Sequence, residues 1–324
     1  MNSRVAFACL ASLALSVAAY GSERRAGRIA TVVHEPSDMV VVSAGTFAMG
    51  TAAEEAENLL AACREELGSA NFFCTEEFPG NYIIKNLSLG ERAVHLDAFA
   101  IDRSEVTGAQ FRACVTAGHC NVGPLVEGDR RYIRDDWPIV NVTWQDAADY
   151  CTWLGKRLPT EAEWEKAARG TRGFRWPWGN HDRKDGSNHG KAESAAMQYT
   201  HAVVRPQFRR AYFPREYAPD DSDGYNYAAP PRALRWGEGI YGTYDMAGNV
   251  AEWVQDYYSE DGYKRLPAVN PVREVPDDSA LGARIVRGGS WAEPKFFSRT
   301  YYRLPAAPQD RSSWIGFRCA KRVD

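Results

Sequence analysis

The sequence predicts a single irregular α+β domain, built more from tight turns packed on aromatic rings than from long helices and strands. Ten tryptophans stand beside 27 glycines and 17 prolines in 324 residues, a composition of turns stacked on rings. Apolar residues make up 44% and charged residues 25%, enough for a large core, and nothing marks an internal linker.

The first 19 residues read as a secretory signal: Arg4 opens it, Ala6 to Val17 is an apolar or small-residue run, and Val17-Ala18-Ala19 offers a small-residue cleavage site. The run is too short to span a bilayer as a helix. An uncleaved anchor is the alternative. Cleavage after Ala19 removes one of 39 basic residues and none of the 42 acidic ones, taking the net charge from −3 to about −4, which leaves no electrostatic footprint for nucleic acid. Residues 20–36 are polar and patternless, a leader before a domain expected over 37–324.

Met39 to Gly50 mixes β-branched residues with glycine, as a strand entering a turn does. Ala52 to Leu67 has helix-forming composition with its acids first, and an irregular stretch from Gly68 to Gly90 follows. Val94 to Asp102 alternates apolar with polar residues and reads as one half-buried strand, with His95 a surface histidine. Three helix starts carry capping chemistry: Thr107 with Gln110, Thr143 with Asp146, and Thr160 with Glu163. In the third helix, Glu161, Glu163 and Glu165 lie two apart and point around the axis, which argues against a catalytic pair and for a solvated helix with dipole-favourable acids.

Six cysteines follow the signal: Cys63, Cys74, Cys114, Cys120, Cys151 and Cys319. An even number in an exported chain points to disulfides, and sequence alone leaves the pairing open. Proximity favours Cys63 with Cys74 and Cys114 with Cys120, leaving Cys151 with Cys319.

Tyr244 to Trp253 packs two acids around a Gly-Asn turn. A hard cation such as Ca²⁺ wants six to eight oxygens, and Asp245 and Glu252 with the carbonyls of Gly248 and Val250 would supply some of them. A plain turn with solvated acids is the other reading. Between Phe174 and Gly239 the chain is rich in loops. There, Val203 to Tyr217 interleaves four arginines with aromatics, either to hold an anionic or sugar-bearing partner or to pair with an acidic surface.

Four ordered blocks identify a resemblance: Arg157-Leu-Pro-Thr-Glu-Ala-Glu-Trp-Glu165, Tyr244 to Trp253, Arg287-Gly-Gly-Ser-Trp291 and Gly316-Phe-Arg-Cys319. Together they resemble the formylglycine-generating enzyme, or sulfatase-modifying factor, family from about Val40 to Lys321. The resemblance implies a mixed C-type-lectin-like topology with little regular secondary structure and a bridge between Cys151 and Cys319. It also implies two structural calcium sites. The second takes a side-chain oxygen of Asn188, the carbonyls of His189 and Tyr225, and the carboxylate of Asp223. Asp-x-Asp-Gly at 221–224 is by itself a weak EF-hand-like signal.

The family's oxidases carry two cysteines after the Arg-Gly-Gly-Ser block, where they bind copper(I) and engage a substrate cysteine. Those positions here are Glu293 and Ser298, and neither replaces a thiolate, because soft Cu(I) selects sulfur. Copper is therefore not expected. Glu293, beside Ser290 and Ser298, is the candidate general base. The expected function is modification or oxidation of an exported peptide or protein by a secreted or periplasmic monomer without a membrane span. A non-catalytic, calcium-stabilised binding protein using the same cleft is the alternative, and a genuine formylglycine-generating oxidase the second.

Overall fold

The computed structural model describes residues 38–68, 74, 89–127, 130–191, 221–276 and 282–323. The expected signal segment and leader and the Arg/aromatic stretch 203–217 lie outside the described residues, as does most of 68–90.

Near the start, Met39–Val42 (β1) and Gly45–Met49 (β2) are consecutive strands that part company. β2 pairs antiparallel with Arg92–Leu96 (β3), whereas β1 pairs antiparallel with Phe99–Asp102 (β4). The single strand expected over Val94 to Asp102 is thus two strands in different sheets. The cause is the loop around Asn270, whose side-chain oxygen takes the Asp97 amide at 2.9 Å while its own amide donates to the His95 carbonyl at 2.8 Å. β4 is buried along its whole length rather than on one face, and His95 is half-exposed.

Five helices lie among the described residues: Ala53–Leu67 (α1), Gly108–Thr116 (α2), Gly123–Val126 (α3), Trp144–Trp153 (α4) and Glu161–Arg169 (α5). All three expected capping boxes form at α2, α4 and α5, satisfying orphan amides at the first turn. Ala251–Tyr257 (β5) then lies in a four-stranded sheet. Arg284–Arg287 (β6) flanks it and is followed by Arg303–Ala306 (β7), and Ile315–Gly316 (β8) runs parallel on its other side. Ala320–Arg322 (β9) closes the fold against β4.

Helix α5 is not solvated, contrary to the expectation from its acids. All nine of its residues are buried. The glutamates do point around the axis, but an arginine from outside the helix meets each of them. Glu161 accepts from Arg303 and, at 3.2 Å, from Arg287. Glu165 accepts from Arg287 at 2.7 Å, from Arg169 at 3.1 Å and from the Gly50 amide at 2.7 Å. Glu163 makes two 2.6 Å bonds to Arg157.

The six described cysteines form the pairs Cys63–Cys74, Cys114–Cys120 and Cys151–Cys319, which points to folding in an oxidising environment. The last joins α4 to the segment before β9 across 168 positions. Trp253, Trp291, Trp314 and Phe317 share its apolar cluster.

Two measurements test this account. Glu165→Ala strands the fully buried Arg169 and Arg287 and should cost about 3–5 kcal/mol in urea unfolding; a loss near zero would mean the network carries no such coupling. Replacing Cys151 and Cys319 together by serine should cost up to about 5 kcal/mol in the chain-entropy limit, and non-reducing peptide mapping should recover the two joined.

Candidate functional site

The site is built on the junction of β5 and β6. Gly248 lies at φ 81° and passes so close to the Asn188 carbonyl that a Cβ there would sit 2.0 Å from its oxygen; only glycine fits. The Gly248 amide donates to Gly288 and the Asn249 amide to Asn188, each at 2.8 Å. Three segments are thereby fixed together: residues 187–190, 244–252 and 287–294.

One set of oxygens surrounds Asn188. Its Nδ2 donates to Tyr227 O at 2.7 Å and to Asn249 Oδ1 at 3.2 Å, which leaves its buried Oδ1 without a hydrogen-bond partner. Asp223 takes the His189 amide at 3.3 Å and the Tyr225 amide at 2.9 Å, so all four expected ligand residues come together. The orphaned amide oxygen suits a hard cation, since a buried acceptor without a donor is costly.

The second set lies on the far side of Asn249. Asp245, at φ 59°, accepts from the Arg232 amide at 2.7 Å and lies close enough to Glu105 for the two charges to interact. Burial pushes Asp245 up to about 6. Burial first, then the neighbouring Asp245 charge, holds Glu105 well above the ordinary carboxylate range. Glu252 is fully buried and takes three bonds, two from Arg318 at 2.7 Å and one from Trp164 Nε1 at 2.8 Å. A carboxylate has roughly four lone-pair positions, so capacity for one more contact remains. Three carboxyls thus face one guanidinium, that of Arg318, and ionised they would leave two negative charges for a divalent cation to offset.

Glu105 is the residue that sequence reasoning missed. Its Oε1 accepts from Asn249 Nδ2 at 3.0 Å, and its buried Oε2 has no hydrogen-bond partner. A lone acid shortly after a strand carries no spacing signal, and only the fold brings it to Asp245. No cluster of three or more His, Cys, Asp or Glu side chains poised to hold a metal exists among the described residues. A cation in either set would therefore need amide or main-chain oxygens as well as carboxylates, hard donors that suit calcium better than a soft metal.

The loop after β6 carries the remaining candidates. Gly289, at φ 67°, brings the two ends of this loop together: a Cβ there would lie 2.8 Å from Ser298 Oγ. Ser290 Oγ donates to Glu293 Oε2 at 3.2 Å, and the Ala292 amide donates to Ser290 Oγ at 3.3 Å. The Glu293 carbonyl accepts from the Gly190 amide at 2.8 Å, which ties this loop to the segment bearing Asn188 and His189. Trp291 stacks on Tyr132 with ring centroids 5.3 Å apart. Ser290 and Glu293 are therefore joined, whereas Ser298 sits against Gly289 with its Oγ unbonded.

Glu293 is fully buried, its Oε1 is unpartnered, and among the described residues no arginine or lysine bonds its carboxyl. Burial pushes it up to about 8, the Ser290 hydrogen bond offsetting only part of the effect. At neutral pH this is a protonated acid able to release its proton to a modest base. The same positions offer copper a carboxyl and a hydroxyl, and every described cysteine sulfur is in a disulfide, so the residues present do not fit Cu(I).

Comparison with known proteins identifies the family. Residues 26–323 match the Sulfatase-modifying factor enzyme 1-like domain. The Formylglycine-generating enzyme of Thermomonospora curvata is 32% identical over 275 residues, covering 71% of this chain and 84% of that protein. Serine/threonine-protein kinase pkn1 of Chlamydia pneumoniae is 36% identical over 189 residues, covering 58% of this chain; the chain spans only 24% of that kinase's length. A structure of PvdO from Pseudomonas aeruginosa matches with a TM-score of 0.61 at 25% identity, covering 88% of this chain and 94% of that one. With its irregular C-type-lectin-like α+β fold, the chain belongs to the formylglycine-generating enzyme, or sulfatase-modifying factor, family.

Proposed function

We propose that this chain is an exported, calcium-stabilised domain that modifies, by oxidation or otherwise, an exported peptide or protein, with Glu293 as proton donor and acceptor in place of the family's copper–thiolate chemistry. The observation that carries the reading is the buried Glu293 carboxyl, hydrogen-bonded to Ser290 and, among the described residues, bonded by no arginine or lysine. A buried ionisable group without charge compensation weakens a fold, and such groups cluster where chemistry needs a shifted pKa. Ser290 orients the carboxyl, and Ser298 offers a hydroxyl with unused hydrogen-bonding capacity at the other end of the loop. A specific observation favours the non-catalytic reading as well: Glu293 and Ser298 are each 0% exposed, so ligand contact there requires movement of what covers them.

Calcium would be held by Asn188, His189, Asp223 and Tyr225 in one site, and by Asp245, Gly248, Val250, Glu252 and Glu105 in the other. There it would supply the positive charge that the carboxyls lack. Residues 1–19 would direct export, in keeping with the disulfides, and the mature chain would act as a monomer.

Thermal melting tests the metal sites. Calcium should raise the Tm of the chelator-treated protein, as any ligand of the folded state alone does. Asp245→Asn or Glu105→Gln should diminish that rise, and an unchanged wild-type Tm on chelation would refute the assignment.

Glu293→Gln tests the centre in two ways. Between its ordinary value of 4.5 and about 8, the folded protein keeps a proton that the unfolded chain has lost. Wild-type stability should therefore fall as pH rises through that window and level off above it. The glutamine variant lacks this contribution, so it should match the wild type near pH 4 and exceed it at pH 8 by on the order of 4 kcal/mol. It should also abolish the change that mass spectrometry detects in co-exported proteins, while retaining the calcium response; persistence of that change would leave Glu293 a structural acid.

A Cys-x-Pro-x-Arg peptide incubated with the protein, copper and oxygen should show no mass change at cysteine. Copper-dependent turnover would overturn the proposed chemistry.

A further inference from the structure

Helix α1 differs from α2, α4 and α5 in what holds it. It has no side-chain cap at its start, and its 15 residues include Glu54, Glu55, Glu57, Glu65 and Glu66 against a single Arg64. Glu55 and Glu66 are 11 positions apart, close to three turns, so they share one face about 16 Å apart along the axis. Leu59 and Cys63 lie between them, each 1% exposed. The face is a stripe with an acid at each end and apolar groups in the middle.

The surface opposite has the complementary order. Glu55 accepts from Arg175 Nε and from the Tyr301 hydroxyl. Glu66 accepts from Arg299 through Nη2 and, at 3.5 Å, through Nη1. Both guanidiniums lie over the same indole, 5.4 Å and 5.7 Å from the Trp176 ring centroid. Phe296 and Phe297 belong to the apolar cluster that receives Leu59 and Cys63. Arg299 is 1% exposed on its side chain, and its Nε has no hydrogen-bond partner. Among the described residues, Glu66 of α1 is the carboxylate that bonds it.

This surface borders the candidate centre. Arg299 follows Ser298 in the chain, and α1 packs on the turn Lys295–Ser298.

We infer that the Arg175–Trp176–Arg299 surface is a docking site for an acidic peptide segment of an exported protein, and that α1 occupies it as an internal stand-in that closes the approach to Ser298. Two guanidiniums at a fixed spacing select carboxylates in the plane of their forks, and the aromatic floor between them takes apolar side chains. The pairs that hold α1 are partly open to water, Glu66 being 34% and Arg175 37% exposed on their side chains. The Arg175 pair is weak alone, and the buried Arg299 guanidinium, costly to leave without a carboxylate, would accept one from another acidic segment. The Cys63–Cys74 bridge constrains the far end of α1, so its local concentration at the surface stays high. The inference does not depend on Glu293 performing chemistry, because its test reads binding alone.

The probe is a fluorescein-labelled synthetic peptide of residues 53–67 with serine at position 63, followed by fluorescence anisotropy. Two full-chain variants lift α1 by different contacts: Glu55→Gln with Glu66→Gln, and Leu59→Asp. Docked α1 leaves a small binding-competent fraction, so both variants should bind the peptide more than about tenfold tighter than the wild type. Added salt should weaken that binding. Arg299→Met placed in either variant should reverse the gain, and a peptide with every glutamate changed to glutamine should not bind. Lifted variants that keep a cooperative melt yet bind no better than the wild type would overturn the inference, as would binding indifferent to Arg299→Met. Loss of the cooperative melt in both variants would overturn it too, since a helix that cannot leave without unfolding the domain is core rather than stand-in.

Discussion

The Arg287 guanidinium is the point on which the rest of the structure depends. It is fully buried and holds Glu161, Glu165 and the carbonyls of Thr300 and Tyr301, with Trp164 5.2 Å from its guanidinium carbon. One planar group with several donors thereby fixes α5, the end of β6 and the return of the chain after Ser298. A buried ion pair of this kind is weak evidence of net stability, because removing two charges from water is costly. What it supplies here is position. The residues that follow, Gly288 to Ser290, begin the loop that carries Glu293, and their path is set by a group that accepts few alternative geometries.

The neighbouring Glu293 shows the opposite principle. The α5 acids each have a guanidinium, and the carboxylates near Asn249 share one, whereas Glu293 has a hydroxyl. Acids in one interior thus occupy three electrostatic situations: compensated and fixed, crowded and short of positive charge, or isolated and protonated. The first suits scaffolding, the second a divalent cation, and the third proton transfer. Asn249 connects the last two regions. Its side chain bonds both Asn188 and Glu105, and the segment after Asn188 bonds the Glu293 carbonyl through Gly190.

Much of this was legible in the sequence where the governing physics is local. Capping boxes follow from residues three apart, and Thr107, Thr143 and Thr160 each behave as their neighbours dictate. The residues around Asn188 came from motif resemblance, and Asp223 does bond the amides of His189 and Tyr225. What stayed hidden depends on distant partners. Glu161 and Glu165 look like a solvent-facing pattern until Arg287 and Arg303 arrive from other elements, and nothing in their spacing announces those arginines. Glu105 is the same case, since its neighbour Asp245 is 140 positions away in the chain. The alternation from Val94 to Asp102 misled for a related reason: Asn270 captures the backbone at Asp97 and turns one strand into two.

The segment from Ile315 to Ala320 has a consequence for how this chain is made. It supplies the parallel partner of β5, the guanidinium that holds Glu252, the sulfur that joins Cys151 and the first pairing residue of β9. Every one of these contacts reaches back at least 60 residues. During synthesis the earlier elements therefore emerge with the β5 carboxylate unpaired and the α4 thiol unbonded, and they must wait until residue 320 has left the ribosome. Such a chain favours late, whole-domain closure over stepwise assembly. The waiting thiol of Cys151 is then the group most open to the wrong partner.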